Sequence, residues 1–319
     1  MSAKRVLERV TARVFCHGAG GGNPVTVFSS QSPLSAATQE KLAQSCEWES
    51  VMVAPKSHSP EISEMAFYMP SGEEVSFCAH AALGGAVATS SNGTNEVPFQ
   101  SSMMPDENDS IQVVQILEVE NERICTARLR MAATFEEASV SHVPSLYRLL
   151  RGHLGITAEH LASQGRRYPS LVNASIARPK TLVHVNSLKA LSQAKQPKLS
   201  TDHPAQRNSF AAACDAVDHS TGIYLYANRT DEEAAWECRQ FPRSSGYPED
   251  PATGIAAAAL AGSLYKQGIY LPVYRFYQGI TMGRPSLIEV LDLSIQRDAA
   301  EFTLQGRVEI DSRETIDTD

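Results

Sequence analysis

The chain has 319 residues and a formal net charge of −8, and 42% of its residues are hydrophobic while 20% are charged. This composition is typical of a soluble globular protein, and the length favours two domains. The acidic balance argues against a nucleic-acid partner or an anionic membrane surface. No apolar run reaches the ~18 to 20 residues that a membrane-spanning helix needs, so no membrane partner is expected.

The six cysteines are widely and irregularly spaced, and none of them forms a CxxC pair. They are therefore interpreted as free thiols of a reducing compartment, which predicts a cytoplasmic protein. A zinc site built from scattered Cys and His residues has no spacing signature here, so no metal site is predicted.

Most predicted elements of the first half are strands. The predicted strands are 10–15, 25–28, 51–55, 64–69, 111–118 and 123–131, the predicted helices are 34–45 and 80–89, and a polar turn is predicted over 90–95. The glycine-rich stretch HGAGGGNP precedes a strand instead of a helix. It therefore predicts a hairpin loop and not a dinucleotide-binding turn.

The second half repeats this order of elements. The predicted helices are 146–154, 187–194, 210–216 and an alanine-rich helix after Thr253, and the predicted strands are 180–185, 222–227, 233–241 and short strands between 268 and 310. A loop is predicted over 195–204 and disorder from Asp311 onward. Residues 132–143 have no clear pattern and suit a crossing between domains. The predicted domains are 10–131, with 306–312 returning to it, and 132–305.

Two stretches, one in each half, resemble each other. MAFYMPSGEEVSFCAHAALGGAVA and ECRQFPRSSGYPEDPATGIAAAALA each predict a strand, a Pro-Ser turn, a polar loop and a helix of small residues. His80 then corresponds to Thr253. Strand–loop–helix units are common and alanine-rich helices look alike, which leaves chance similarity open, but the pattern favours an internal duplication.

The two helix starts suggest a chemistry. A helix N-terminus has unpaired N–H groups and partial positive charge, so it attracts anions. Two such starts could bind one small carboxylate-bearing metabolite. Titratable groups lie beside them, Cys78 and His80 in one loop and Glu249 and Asp250 in the other, and Glu49 precedes a strand of the first half. This combination predicts acid–base proton transfer.

Five motifs resemble the PhzF-like, phenazine-biosynthesis family, which shares its fold with diaminopimelate epimerase and proline racemase. The motifs are GGNPVTVF (21–28), WESVMV (48–53), FCAHAALG (77–84), PEDPATG (248–254) and the less specific QGITMGRPS (278–286). They occur in the family's order and span the chain from about residue 10 to 310.

The resemblance implies an α+β fold of two pseudo-symmetric domains, each a mixed sheet curled around a central helix, with the active site in the cleft between them. It implies a homodimer and an enzyme that uses no cofactor. Glu49 would be the general acid and base. The residues that the resemblance places at the substrate are His80, Ala81, Asp250, Thr253, Gly254 and Ile255.

The chain departs from the family pattern at several of these positions. Ala79 and Ala81 replace the usual glycine and proline around the histidine, and Ile255 replaces a serine that would hydrogen-bond the substrate. Cys78 stands where related epimerases have one catalytic cysteine, and Pro251 occupies the place of the second. A one-base proton shift is therefore favoured over a two-thiol racemase.

Each candidate residue also has a structural interpretation. Glu49 could be a solvated charge, His80 a helix cap or core residue, Asp250 an N-cap, and Cys78 a small buried hydrophobe instead of a second base. The predicted function is a cofactor-independent isomerase or epimerase of a biosynthetic pathway. The alternatives are a racemase that uses Cys78 as second base and a non-catalytic scaffold.

Overall fold

The computed structural model describes residues 5–90, 94–103, 111–121, 123–162, 171–198 and 209–318. The chain divides into two compact units, residues 1–130 with 305–319 and residues 131–304. Each unit combines a mixed sheet with a few helices, which confirms the predicted α+β class. The predicted turn 90–95 and loop 195–204 lie partly outside the described residues.

The first unit is a closed sheet around one helix. Its strands are β1 (Arg5–Val14), β2 (Asn23–Ser29), β3 (Ser50–Lys56), β4 (Ser59–Tyr68), β5 (Glu74–Val75), β6 (Glu96–Ser101), β7 (Gln112–Asn121), β8 (Ile124–Thr134) and the later part of β16 (Ala299–Thr318); its helices are α1 (Ala36–Gln44) and α2 (Ala79–Thr89). The order β1-β2-β3-β4-β6-β7-β8-β16 closes because β16 pairs with β1.

The second unit has its own sheet and, among the described residues, four α-helices; a π-helix (Leu150–Leu154) continues the first of them. Its strands are β9 (Glu136–Ser139), β10 (Leu171–Ser175), β11 (Lys180–His184), β12 (Gly222–Asn228), β13 (Ala235–Pro242), β14 (Val273–Gln278), β15 (Ser286–Gln296) and the start of β16; its helices are α3 (Val143–Leu149), α4 (Leu188–Gln193), α5 (Ser209–Asp215) and α6 (Gly254–Lys266). The strand order is β15-β14-β13-β12-β11-β10-β9.

The two sheets repeat one pairing scheme. In the first unit, β1/β2 is antiparallel, β2/β3 parallel, β3/β4 antiparallel, β4/β6 parallel and β6/β7 antiparallel. The same alternation follows from β10/β11 to β14/β15 in the second unit. The helices α2 and α6 occupy equivalent places in the order of elements of the two units. This match confirms the predicted pseudo-symmetry.

Both central helices are buried on all sides. Ten consecutive residues of α2, from Ala79 to Ala88, are buried, and most of α6 is buried as well. A helix that is apolar all round belongs in a core, and small side chains let strands come close to it. A Cβ atom on Gly84 would lie 2.6 Å from Val25 Cγ1 of β2, and one on Gly262 would collide with the Phe135 ring.

The predicted disorder of the tail from Asp311 is wrong. These residues continue β16, and the part of β16 from Val308 to Thr318 pairs antiparallel with β1. The tail is acidic but β1 is basic, so the charges pair across the strands, as between Arg9 and Glu314 and between Arg13 and Asp311. Ile316 also packs against buried apolar residues of the first unit.

Besides the two-residue strand β5, three strands were not predicted. The short strand β9 lies within the segment 132–143 that was assigned no regular structure, and β6 and β10 fell between predicted elements. All three are only four to six residues long. Strands this short contain too few alternations of apolar and polar residues to be predicted from the sequence.

Substitution of Gly84 by alanine tests the close approach of α2 to β2. We expect Gly84→Ala to lower the free energy of unfolding by about 1 to 3 kcal/mol, because the added methyl group would overlap Val25. Gly152→Ala is the matched control, since a Cβ there meets no atom within 4 Å. Denaturant unfolding measures both. Equal stability of the two variants would contradict this packing.

Candidate active site

Glu49 is a buried carboxylate at the entrance of a strand. It immediately precedes β3, and its backbone carbonyl accepts the Thr26 N–H of β2 at 3.2 Å. Only 6% of the residue is exposed. Glutamate is rarely buried this deeply unless it is paired or functional, so its interpretation as a solvated surface charge is wrong.

His80 lies between Glu49 and Cys78. Its Nε2 is 3.9 Å from the Oε2 atom of Glu49, and its Nδ1 is 3.3 Å from the Sγ atom of Cys78. His80 is 6% exposed, whereas Cys78 is half-buried. An imidazole between a carboxylate and a thiol can bind a proton on either ring nitrogen. The three side chains thus form a titratable cluster in the first unit.

This cluster lies at the start of α2. Cys78 is the N-cap residue with extended backbone, and within the described chain its side chain makes no capping hydrogen bond. The first turn carries no acidic residue. Ala81 is fully buried there. Its side chain is apolar, so only its backbone N–H could form a hydrogen bond with a ligand. The helix start therefore retains its attraction for an anion.

In the second unit, Asp250 shapes the loop that enters α6. Its Oδ1 accepts the Ala252 N–H at 3.2 Å, and its Oδ2 accepts the Thr253 hydroxyl at 2.6 Å. Its own N–H donates to the Gln240 carbonyl at 3.0 Å. Asp250 is 8% exposed. It therefore organises this loop whether or not it also contacts a ligand.

Gln278 is a loop-anchoring residue that the sequence analysis did not single out. Its Nε2 donates to the Asp250 carbonyl at 2.6 Å and to Thr253 Oγ1 at 3.1 Å, while its Oε1 accepts from the Thr253 N–H at 3.3 Å and the Tyr224 hydroxyl at 3.2 Å. It is fully buried at the end of β14. The sequence feature that could have revealed it is a polar residue at the end of an otherwise largely apolar strand, where the QGITMG motif begins.

The glycine of that motif allows close packing. Gly279 has φ +74°, in the left-handed region, and a Cβ atom there would lie 2.7 Å from the Pro251 carbonyl oxygen. Only glycine adopts this conformation without strain. The loop before α6 is thus held between Gln278 and the backbone of the following turn.

The neighbouring acid, Glu249, has a structural partner. Its carboxylate accepts two hydrogen bonds from Arg239, at 2.8 and 2.7 Å, and both side chains are at least 95% buried. Arg239 also donates to the Leu191 carbonyl at 3.1 Å. Of the two adjacent acids, Glu249 is therefore committed to a bidentate ion pair, and Asp250 is the one at the helix start.

Lys180 is a second residue that the sequence analysis missed. It begins β11, is 8% exposed, and burial lowers the pKa of its ammonium group to about 8, while Asp250 opposes that shift. The signal was one charged residue at the head of the apolar strand KTLVH. Such perturbed groups cluster at functional sites.

The structure thus gathers the candidate residues into two groups. Glu49, Cys78 and His80 lie together in the first unit. In the second unit, Asp250 and Thr253 are hydrogen-bonded, Gly254 is the first residue of α6, and Ile255 is half-buried in its first turn.

Within the described part of the chain, no group of three or more His, Cys, Asp or Glu side chains is arranged to hold a metal ion. The six cysteines are free thiols, as predicted. None of the described helices is both long and apolar enough to cross a bilayer.

Comparison with known proteins decides the family. Residues 12–310 match the family model for phenazine biosynthesis-like proteins, PhzC-PhzF. The chain belongs to this family. A curated relative, the trans-2,3-dihydro-3-hydroxyanthranilate isomerase of Pseudomonas aeruginosa, is 25% identical over 270 residues, which cover 83% of each chain. An isomerase fits both findings.

Solved structures confirm the predicted fold. The PhzF-family protein of Bacillus anthracis has a TM-score of 0.74 at 16% identity and covers 98% of this chain and 99% of its own. A predicted epimerase of Pseudomonas aeruginosa has the same TM-score at 20% identity, covering 99% and 100%. A hydroxyproline epimerase of Agrobacterium vitis has a TM-score of 0.58 at 12% identity, covering 100% and 93%.

The buried ion pair predicts a large effect on stability. Glu249→Gln should lower the free energy of unfolding by about 3 to 5 kcal/mol, because it leaves the Arg239 charge buried without a counter-charge. Glu314→Gln is the control: its carboxylate pairs with Arg9 at the surface and is 51% exposed, so the loss should stay below about 1 kcal/mol. Urea unfolding separates the two, and similar losses would contradict the assignment.

Proposed function

We propose that this protein is an isomerase that moves a proton at a carbon next to, or vinylogous to, a carboxylate of a small metabolite. Glu49 acts as the general acid and base, and the reaction needs no cofactor. The observation that carries the proposal is the burial of the Glu49 carboxylate beside His80, at the start of a buried helix.

The proposed reaction conserves protons and electrons within the substrate. Glu49 takes the proton from carbon, and the C–H electron pair moves into the π-system that ends on the substrate carboxylate. The protonated Glu49 then gives a proton to another carbon of that system, and exchange of its acidic proton with the solvent before this step carries solvent deuterium onto carbon. Burial supports this cycle, because a site shielded from bulk water prevents side reactions of the intermediate.

His80 is proposed to orient Glu49. The His80 Nε2 atom lies 3.9 Å from the Glu49 Oε2 atom. A proton on Nε2 would be directed towards the carboxylate. The backbone N–H groups around Ala81 would donate hydrogen bonds to the substrate carboxylate. Preorganised donors of this kind stabilise the negative charge that develops there during the reaction. Asp250, Thr253 and Gly254 stay predicted substrate-binding residues.

The substrate class is proposed from chemistry and from one relative. The Pseudomonas isomerase is named for a ring that bears a carboxylate, and that compound is the first to test here. Ile255 stands where the family resemblance expects a serine, so a different ring substituent is expected. The homodimer, the cytoplasmic location and a place in a biosynthetic pathway also stay proposals.

A second candidate is an epimerase in which Cys78 is the other base. The contact that favours it is the 3.3 Å distance between Cys78 Sγ and His80 Nδ1, since an adjacent histidine promotes the thiolate. Two-base epimerisation needs groups on opposite sides of one carbon, and Pro251 occupies the position that the resemblance assigns to a second thiol.

Isotope exchange tests the role of Glu49. The protein is incubated in deuterated water with a panel of small carboxylic acids, including the dihydro-hydroxyanthranilate. Deuterium should appear on a carbon of the acid that is the substrate, and NMR or mass spectrometry detects it. Glu49→Gln should reduce the exchange rate by about 10² to 10⁴-fold, because the amide cannot accept the proton. The control Glu47→Gln changes an exposed acid two residues away. Unchanged exchange in Glu49→Gln would contradict the proposal and favour a scaffold.

Replacement of Cys78 separates the two candidates. For the one-base isomerase, Cys78→Ala should retain the exchange rate within about tenfold, because the thiol takes no proton from carbon. A loss as large as that of Glu49→Gln, about 10² to 10⁴-fold, would support the two-base epimerase. Cys46→Ala, at a buried thiol of the same unit, controls for the loss of a sulfur atom.

A further inference from the structure

The pseudo-symmetry of the two units identifies a counterpart of Gln278 in the first unit. Gln278 is the last residue of β14, which runs parallel to β13, the strand that leads into the loop before α6. In the first unit, β6 runs parallel to β4, the strand that leads into the loop before α2, and the last residue of β6 is Ser101. Ser101 therefore occupies the place of Gln278.

The residues of the two strands support this equivalence. Each strand has a phenylalanine two positions before its last residue, Phe99 in β6 and Phe276 in β14, and both are fully buried. Because side chains alternate along a strand, Ser101 lies on the same face as Phe99, and Gln278 on the same face as Phe276. Each strand thus ends with a polar side chain on the face that carries its buried phenylalanine.

Ser101 also makes the contact that characterises Gln278. Its hydroxyl donates a hydrogen bond to the Ser76 carbonyl at 2.7 Å, just before α2 begins. In the second unit, Gln278 Nε2 donates to the Asp250 carbonyl at 2.6 Å, just before α6 begins. Ser101 is 6% exposed. In both units, a buried side chain at the end of a strand therefore holds a loop carbonyl next to the start of the central helix.

The place of this bond matters because Cys78 and His80 follow it directly. Cys78 comes two residues after Ser76 and is the N-cap of α2, and His80 is the second residue of that helix. Between them and Ser76, the Phe77 ring packs edge-to-face on Phe67 of β4, with the ring centroids 5.7 Å apart. The segment that leads into the titratable cluster is thus attached to the sheet by a hydrogen bond and by a ring contact.

We infer that Ser101 is a positioning residue for the titratable cluster of Glu49, His80 and Cys78. Its hydrogen bond to Ser76 fixes the loop before α2, and the loop in turn fixes His80 at 3.9 Å from the Glu49 carboxylate. Ser101 acts through the loop and exchanges no proton with the substrate. Its effect on the reaction rests on the proposed function, whereas its effect on the loop does not.

Isotope-exchange kinetics test the effect of Ser101 on the reaction. Ser101→Ala should lower kcat by about 10- to 100-fold, because a displacement of about 1 Å at a reacting group is enough for such a loss. KM should change by less than about threefold. Ser101→Thr keeps the hydroxyl and should retain kcat within about threefold of the wild type. A serine with only a structural role would not show both the selective loss of kcat and its rescue by threonine.

Ser30→Ala is the matched control. The Ser30 hydroxyl donates to the Ser32 carbonyl at 2.7 Å, the same length as the bond from Ser101 to Ser76. Ser30 follows the end of β2 and does not contact the loop before α2 through this bond. Ser30→Ala should therefore keep kcat within about twofold of the wild type, so that the loss of a hydroxyl–carbonyl bond alone does not explain the effect of Ser101→Ala.

Amide hydrogen exchange, followed by mass spectrometry, tests the loop of the full-length protein without any substrate. The peptide 74–82 includes the Ala82 N–H, which is bonded to the Cys78 carbonyl at 2.9 Å in the first turn of α2. In Ser101→Ala this peptide should exchange about fivefold faster or more, because the loop loses a contact that opposes its local opening. Peptides of the second unit should keep the wild-type rate, which excludes global destabilisation, and Tm should fall by no more than about 4 °C.

The outcomes separate this inference from the proposed reaction. Wild-type amide exchange of the peptide 74–82 in Ser101→Ala would overturn the positioning role, and so would a kcat of this variant within about twofold of the wild type. Faster amide exchange in Ser101→Ala, reversed in Ser101→Thr, would support the attachment of the loop even if the wild type placed deuterium on no carboxylic acid. That last result would count against the reaction only.

Discussion

The burial of a helix of small residues inside each sheet is the constraint on which the rest of this structure depends. Strands can surround α2 and α6 closely because alanine and glycine fill most of their surface, as where Gly84 meets Val25 and Gly262 meets Phe135. Hydrophobic burial then stabilises the helices without an amphipathic pattern. One consequence is that each helix start is fixed at one place of its sheet.

Around each helix start, some charged side chains are held in structural contacts, whereas Glu49 is the one proposed to transfer a proton. Glu249 is neutralised by Arg239 in a buried bidentate pair, so it stabilises the loop and is not available as a base. Asp250, the next residue, uses its carboxylate to shape the first turn of α6. In the first unit, Glu49 is buried beside a histidine instead of an arginine. A partner that can itself gain or lose a proton suits proton transfer better than a permanent cation.

The sequence predicted the elements whose patterns are long or chemically distinctive. The two small-residue helices and the internal repeat follow from motifs that span several residues. Lys180 escaped attention because one charge in an apolar strand has no periodic signal, and its burial results from the pairing of β11 with β10 and β12. The tail after Asp311 was misjudged because its acidity is balanced by a basic strand about 300 residues away in sequence. Pairing at that separation cannot be deduced from local composition.

The central claim is that Glu49 performs the proton transfer, and a structure of the complex tests it most directly. The crystal structure should be determined with a carboxylic acid that undergoes isotope exchange, bound to the Glu49→Gln variant to prevent turnover. The account predicts that the carbon losing its proton lies about 3 to 3.5 Å from the side-chain oxygen or nitrogen of residue 49. An acid bound with its reactive carbon beside another titratable group, and with residue 49 out of reach, would contradict the account.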